Sequence, residues 1–420
     1  MAGFQPSWTV KEHVIAASHP RGYRRGVRDP QKSRLRLHVK QYVPTTSKQL
    51  SDDDYAITLI VQHGQPPGDN KESYEPFMWD LLCQPSLPPV RAIWAMDIAS
   101  SGQSFLLNQD EIGDEPHWYD ASRDITQMVN HFQAEMRPPL VGFGQSWGGA
   151  VLTMAAAFNP RLFQGLILSE PIFENGWHHV RASLESKGEV LVTGGAAAPS
   201  LARRKRYYAN RAALVESVAR ARMWKAYDPR VLQQILRYDY RDLEDGRVEL
   251  ITPPVQTVSY FLRPSPPLSG FPENEDYATR GEDANWPPGF YAAQGDVGKR
   301  ALATLNCPLL FLWETRGSFV SDEGYRKRVL ASADPLGRRK NQIEQIFVDG
   351  GHSLALFVPR KTAEAVTTWI NKFWQCWLEQ ERQRQSDAPV DAQNVPPEFV
   401  ERTKRVDAAS ADFFKRKLKL

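Results

Sequence analysis

The sequence predicts an α/β fold, with a mostly parallel central sheet, helices on both faces and a cap, or lid, inserted late in the chain. Apolar runs of strand length alternate with helical patterns, the mark of crossover units that build a parallel sheet covered on both sides. One such run, Leu140-Val141-Gly142-Phe143, breaks through Gly144-Gln145-Ser146-Trp147-Gly148 directly into the helix-forming residues 150–157. That is a strand, a sharp turn and a helix, with a serine at the apex. A long stretch, roughly residues 171–305, then belongs to neither the alternation nor the sheet.

Taken in order, Leu35, Leu37, Val39 and Tyr42 or Val43 alternate with polar residues and predict an early, half-exposed strand. Residues 56–61 form a continuous apolar strand ending in Gln62-His63-Gly64-Gln65, and a helix follows over 72–83. The strand over 90–96 ends at Asp97 and the glycine-containing loop Ser100-Ser101-Gly102-Gln103-Ser104. A helix over about 120–136 presents Ile125, Met128, Val129 and Phe132 on one face and leads, past Pro138 and Pro139, into the serine strand. Leu166-Ile167-Leu168 is the next strand, residues 309–313 another after Pro308, and residues 343–348 the last, ending in Asp349-Gly350-Gly351-His352. The final long helix carries Val366, Trp369, Ile370, Phe373, Trp374, Trp377 and Leu378 at helical spacing, which reads as core packing.

These patterns divide the chain into a core part over 1–170, a cap over 171–305, a second core part over 306–385 and a tail over 386–420. Within the cap, Asp228-Pro229-Arg230 supplies an N-cap and a first-turn proline for a helix with Val231, Leu232, Ile235 and Leu236. Asn210 caps another with Leu214, Val215 and Val218. Residues 253–288 are rich in proline, glycine and aromatics and predict an ordered loop over the site, without regular helix or central strand. The cap's aromatic side chains divide between its own core and the wall of an apolar substrate cavity; Trp177, Trp286 and Tyr291 are the candidates for that wall. The tail, with Phe399, Val400, Val406, Phe413 and Phe414, reads as a docked amphipathic helix or a mobile appendage.

Over 420 residues the formal net charge is +3, which gives no argument for nucleic acid or an acidic membrane surface. No apolar run reaches the length of a membrane span, and the first residues lack the basic and apolar regions of a signal peptide. The expected location is intracellular, cytoplasmic or peroxisomal, because Leu418-Lys419-Leu420 partly matches the Ser-Lys-Leu peroxisomal address. Cys83, Cys307 and Cys376 are odd in number and lack metal-ligand spacing, and they read as ordinary thiols. The partners this allows are a hydrophobic small-molecule substrate, a second copy in a homodimer and a peroxisomal import receptor on the C-terminal tail.

A hydroxyl is a weak nucleophile at neutral pH unless a base takes its proton, and the base needs an acid to orient it. His352 is the candidate base for Ser146, because it follows the last strand in a glycine-flanked loop. His63 lies in the loop after an earlier strand, and His178 and His179 lie in the cap. A carboxylate at the end of the strand after the elbow helix, Glu170, can reach the same imidazole, with Glu314 and Glu174 as alternatives.

These residues resemble the α/β-hydrolase superfamily, and more narrowly the fungal toxin-biosynthesis hydrolases of the AK-toxin type, which are also similar to the yeast peroxisomal lipase. The narrower resemblance rests on Leu37-His38-Val39-Lys40-Gln41-Tyr42, His63-Gly64 followed by Tyr74-Glu75-Pro76, Met96-Asp97-Ile98-Ala99, Trp118-Tyr119-Asp120-Ala121-Ser122-Arg123-Asp124, Asn159-Pro160-Arg161-Leu162-Phe163 and Trp224-Lys225-Ala226-Tyr227-Asp228-Pro229-Arg230-Val231-Leu232. It implies a serine hydrolase of peroxisome-associated secondary metabolism, with its acid on the strand after the elbow helix. In most of the superfamily the acid lies one strand later, where this chain has Gly317. The chain further departs in having Gln145 and Trp147 where histidine and methionine are usual, and glutamate in place of aspartate at 170. The oxyanion donors implied are the backbone N–H groups of Trp147 and Gln65. No metal or organic cofactor is required.

The function expected is hydrolysis of an ester, thioester or lactone of a hydrophobic metabolite through an acyl-enzyme on Ser146. Acyl transfer, cyclisation or carbon–carbon cleavage with the same residues is the enzymatic alternative, and a non-catalytic receptor of this fold is the other. Dehalogenation and epoxide hydrolysis need a carboxylate where this chain has Ser146.

Overall fold

The computed structural model describes residues 8–45, 50–51, 54–65, 68, 70–173, 201–260, 262–264, 290–292, 295–316, 322–339, 341–387 and 393–417. Eight strands form the main sheet: β1 (Trp8–Ala16), β2 (Arg36–Pro44), β3 (Ile57–Gln62), β4 (Val90–Met96), β5 (Leu140–Gln145), β6 (Gly165–Ser169), β12 (Leu309–Glu314) and β13 (Ile343–Val348). Their spatial order is β1-β2-β4-β3-β5-β6-β12-β13. From β4 to β13 every pairing is parallel, and only β1 and β2 run antiparallel to their neighbours.

Strands buried on both faces are mostly apolar, which is why β3, β5, β6 and β12 read as near-continuous apolar runs and are buried along their whole length, with their polar residues gathered chiefly at the carboxyl ends. The outer strand β13 alternates between half-buried and exposed residues. The other edge, β1, does not announce itself in the sequence. Its Lys11 and Glu12 face solvent on a mostly exposed ribbon, and only Ile15 is fully buried.

Helices cover the sheet: α1 (Glu75–Leu82), α2 (Gly102–Asn108), α3 (Trp118–His131) and α4 (Trp147–Phe158) between the strands of the first half. The helix expected over 72–83 begins as a 3-10 turn, Lys71–Tyr74, capped by the Asn70 side chain. The glycine loop after β4 becomes α2, because Gly102 at φ +51° packs against the Asp97 carboxylate, where any Cβ would sit 2.4 Å from an oxygen. α4 is apolar all round and buried at all but its last two residues, as a helix inside the core must be. α3 ends at His131, several residues before the proposed Met136.

Between β6 and β12 the chain leaves the main sheet. It forms β7 (Tyr207–Tyr208), α5 (Arg211–Arg220), α6 (Pro229–Tyr238), β8 (Tyr240–Asp242), β9 (Val248–Leu250), α7 (Pro254–Val258), β10 (Leu262–Pro264), β11 (Phe290–Ala292) and α8 (Gly295–Ala301). β7, β9 and β8 make a small antiparallel sheet of their own, and β10 pairs with β11. Asn210 and Asp228 cap α5 and α6 through their side chains, as the sequence predicts. The reading of 253–288 as loop needs correction at its start. Prolines at its N-cap and first position open the short helix α7, where their missing N–H groups have no intrahelical role.

After β12 come α9 (Glu323–Ala333), β13, the short α10 (Leu354–Phe357) and the 28-residue α11 (Pro359–Ser386). The chain divides into two compact units, Met1–Trp374 and Gln375–Leu420. In the first, Val366, Trp369, Ile370, Phe373 and Trp374 are buried. The second holds α12 (Pro397–Lys417), on which Phe399, Val400 and Val406 are exposed. Leu418-Lys419-Leu420, and with it the peroxisomal reading, lies outside the described residues. No helix among the described residues is long and apolar enough to cross a membrane.

Candidate active site

The carboxyl ends of β3, β4, β5, β6, β12 and β13 lie along one edge of the sheet, the place where loops of parallel sheets gather side chains around a ligand. Ser146 stands there between β5 and α4 with φ +57° and ψ −121°. The left-handed region costs any residue with a Cβ energy, and the surroundings hold it there. The Ser146 N–H donates to the Ser169 carbonyl at 2.7 Å, and its own carbonyl accepts from Gly149 and Ile172. The two flanking glycines are required by packing. A Cβ on Gly144 would come within 2.6 Å of the Gly148 backbone, and one on Gly148 within 2.5 Å of the carbonyl oxygens of Gln62 and His63. Because both obstacles are backbone, Gly148→Ala should destabilise the protein by roughly 1–3 kcal/mol, the usual scale of overpacking. Equilibrium urea unfolding measures this, and a midpoint equal to that of the parent would show that the elbow has room.

The structure brings Ser146, His352 and Glu170 together from the ends of β5, β13 and β6. The Ser146 hydroxyl lies 3.0 Å from His352 Nε2, and His352 Nδ1 lies 3.2 Å from Glu170 Oε2. Glu170 is fully buried and has φ +46°. It and Ser146 are the only non-glycine residues with positive φ among the described residues. Its second oxygen, Oε1, accepts the backbone N–H of Glu314 at 2.8 Å. The competing carboxylate therefore takes part through its main chain, while its own Oε2 accepts from the N–H of Arg316 at 2.9 Å. Glu174 and Gly317 lie outside the described residues.

A hydroxyl, an imidazole and a buried carboxylate in this order can move a proton off the serine and stabilise the imidazolium that results. Gln145 is a contributor that the sequence did not single out, beyond its being an unusual residue before the serine. Its Nε2 donates to the His352 carbonyl at 2.8 Å, and its Oε1 accepts from the Ser169 hydroxyl at 2.8 Å. One buried amide thus ties the histidine loop to two neighbouring strand ends.

As first residue of α4, Trp147 has an N–H without an intrahelical acceptor. Its buried indole packs edge-on against Trp118 and Tyr260, with centroids 5.9 Å and 5.1 Å away. Gln65 lies in the loop after β3. There His63 Nδ1 is 2.7 Å from the Gly64 carbonyl, and the Gly64 N–H donates to the Tyr74 hydroxyl at 3.1 Å. Burial keeps His63 below the ordinary imidazole range, so it serves as a neutral bracket, accepting weakly from the Ile98 N–H at 3.4 Å. Trp177 and Trp286 lie outside the described residues, and Tyr291 lies on β11. Tyr260, which follows α7, is buried with its hydroxyl 2.9 Å from Ser100 Oγ. Ser146 itself is 8% exposed.

Sheet order, strained elbow and strand-end loops together define an α/β-hydrolase fold. A family model described as the alpha/beta hydrolase family matches residues 59–365, and the chain belongs to that family. Over 236 residues it is 37% identical to a type I acyl-CoA thioesterase, mpaH', of Penicillium brevicompactum, covering 56% of this chain and 51% of that protein. The chain thus spans about half the length of this relative. It is 26% identical over 260 residues to an abhydrolase domain-containing protein of Alternaria alternata, covering 58% of this chain and 88% of the relative. A peroxisomal alpha-beta-hydrolase of Saccharomyces cerevisiae shares the fold with a TM-score of 0.68 at 16% identity, over 98% of this chain and 99% of that one. These matches meet the resemblance read from the sequence.

Proposed function

We propose that this protein is a serine hydrolase that cleaves a thioester or ester of a hydrophobic acyl group through an acyl-enzyme on Ser146. The observation that carries this is the continuous contact from Ser146 Oγ to His352 Nε2 and from His352 Nδ1 to Glu170 Oε2, at 3.0 Å and 3.2 Å. His352 takes the serine proton as Oγ attacks the carbonyl, gives it to the leaving thiolate or alkoxide, and then activates the water that releases the acid. Glu170 holds the imidazole tautomer, and the N–H groups of Trp147 and Gln65 stabilise the tetrahedral oxyanion. The thioester is favoured among ester-type bonds by the acyl-CoA thioesterase activity named for the Penicillium relative. We place the reaction in fungal secondary metabolism, the setting that the sequence resemblance supports.

The test is direct. The purified chain should release free thiol from an acyl-CoA and carry a fluorophosphonate adduct on Ser146. An unreactive serine with no thiol release would overturn the hydrolase reading and favour a receptor.

We further propose that the insertion acts as a lid, because the nucleophile is covered and Tyr260, from the insertion, packs on Trp147. Binding energy from a bulky acyl group then helps to orient the carbonyl. Bulky or aromatic acyl-CoAs should exceed acetyl-CoA in kcat/KM by at least about tenfold, since a single buried methylene is worth roughly 1–3 kcal/mol in such a pocket. Equal specificity constants would remove the lid from the account.

A further inference from the structure

We infer that Asn70 and Asp239 form a positioning pair that fastens the loop carrying the Gln65 N–H to the insertion, so that seating the insertion and assembling the oxyanion site are one event. The inference rests on the serine-hydrolase reading above. Asn70 is 1% exposed, and its Nδ2 donates to Asp239 Oδ1 at 2.6 Å across the boundary between core and insertion. Both partners are anchored on their own side. Asn70 Oδ1 accepts from the N–H and hydroxyl of Ser73. The next residue, Lys71, donates its N–H to Asp97 Oδ1 at 3.1 Å and its ammonium to Asp97 Oδ2 at 2.5 Å. On the insertion side, Asp239 ends α6 and its carbonyl accepts from Ile251 at 2.8 Å, while Arg204 lies 3.7 Å from its second oxygen.

Between Gln65 and Asn70 the chain passes Gly68 at φ +84°, against Ile235, Trp224 and Tyr227 of the insertion; a Cβ there would stand 2.7 Å from Ile235 Cδ1. The loop is therefore held at Gly64 by the Tyr74 hydroxyl, pressed at Gly68 by α6, and tied at Asn70 by Asp239. If the insertion moves away, the Asn70 amide and the Asp239 carboxylate exchange their mutual bond for bonds to water, and the net worth of a hydrogen bond to a charged group is lost. The free energy that the contact gives to the loop it gives equally to the insertion. A second anchor serves as contrast. Arg230, at the other end of α6, pairs with both oxygens of Asp80 on α1 at 2.8 Å and 2.7 Å, and those bonds do not involve the loop.

The experiment uses the full chain, a chromogenic ester and four variants. Asn70→Ser keeps a side-chain oxygen for capping but cannot reach Asp239, and Asn70→Asp sets two carboxylates against each other. Both should lower kcat on the order of a hundredfold, the scale of one lost oxyanion donor, with a smaller change in KM. The exchange N70D/D239N restores a donor opposite an acceptor and should recover most of the loss. Arg230→Gln should lower stability without the fall in kcat. In hydrogen exchange, Asn70→Ser should speed residues 64–74 and 201–250 together, and Arg230→Gln should leave 64–74 unchanged. A kcat within about threefold of the parent in Asn70→Ser, an exchange variant no better than Asn70→Asp, or an equal kcat loss in Arg230→Gln would each overturn the pairing. An inactive parent protein would refute the hydrolase reading, and the exchange rates would still decide the pair.

Discussion

Ser146→Ala should fold as the parent does and lose turnover by a factor on the order of 10⁴ to 10⁶, the range found when a triad nucleophile is removed. The change deletes one hydroxyl from a site where the backbone is held by the Ser169 carbonyl and by the Gly149 and Ile172 N–H groups, none of which the side chain makes. Alanine at φ +57° bears the same strain that serine does, so the melting temperature should barely move. What is lost is the covalent route, because the hydroxyl that stands 3.0 Å from His352 Nε2 is the one removed. The assay is thiol release from an acyl-CoA, followed by mass measurement for any acyl adduct. Retention of parental turnover in the variant would end the acyl-enzyme mechanism.

Glu170→Gln should cost turnover on the order of 10⁴-fold, because an amide opposite His352 Nδ1 favours the wrong tautomer and removes the charge that stabilises imidazolium. The geometry sharpens the contrast with Glu314→Gln. A glutamine at 170 can still accept the Glu314 N–H with its carbonyl oxygen, but doing so turns its NH₂ towards His352. The glutamate at 314 uses its carboxylate on the Arg316 N–H, a bond that an amide oxygen also makes, so that variant should lose less than about tenfold. Stopped assays on one chromogenic ester compare the two. A severe loss at 314 with a mild one at 170 would transfer the acid role, and mild losses at both would mean that the acid lies elsewhere or is dispensable.

The parts of this fold that were legible in the sequence are those where burial leaves no choice. Strands β3, β5, β6 and β12 have to be apolar on both faces, and α4 has to be small and apolar to fit against β5, so their outlines could be read from composition alone. The glycines at 144 and 148 identify the elbow because backbone atoms occupy the space of their side chains. Strand β1 was not legible, since an exposed ribbon pairing only with β2 places few demands on its residues. The link from Gln145 to the His352 carbonyl was equally hidden, because it joins residues that meet only when β13 has packed beside β12. Nor does anything local in Asn70 or Asp239 foretell their meeting. Asn70 caps the turn that follows it and Asp239 closes the helix that precedes it, and only the tertiary fold makes them partners.

Ser146 and His352 come from opposite fates along the chain. Ser146 rises from a central strand gripped on both sides, whereas His352 hangs from the outermost strand, which among the described residues has a neighbour on one side only. During synthesis the serine strand can be in place long before residue 352 exists, and a partly made chain carries an inert hydroxyl. In the finished protein the same arrangement sets the order of failure on warming. Opening of the sheet's edge needs fewer broken contacts than opening of its middle, so β13 is expected to fray first and to carry His352 away from Ser146 while the rest of the sheet stands. On the mechanism proposed above, activity should therefore fade before the bulk of the structure melts and return on cooling, an order that parallel activity and circular-dichroism melts would check.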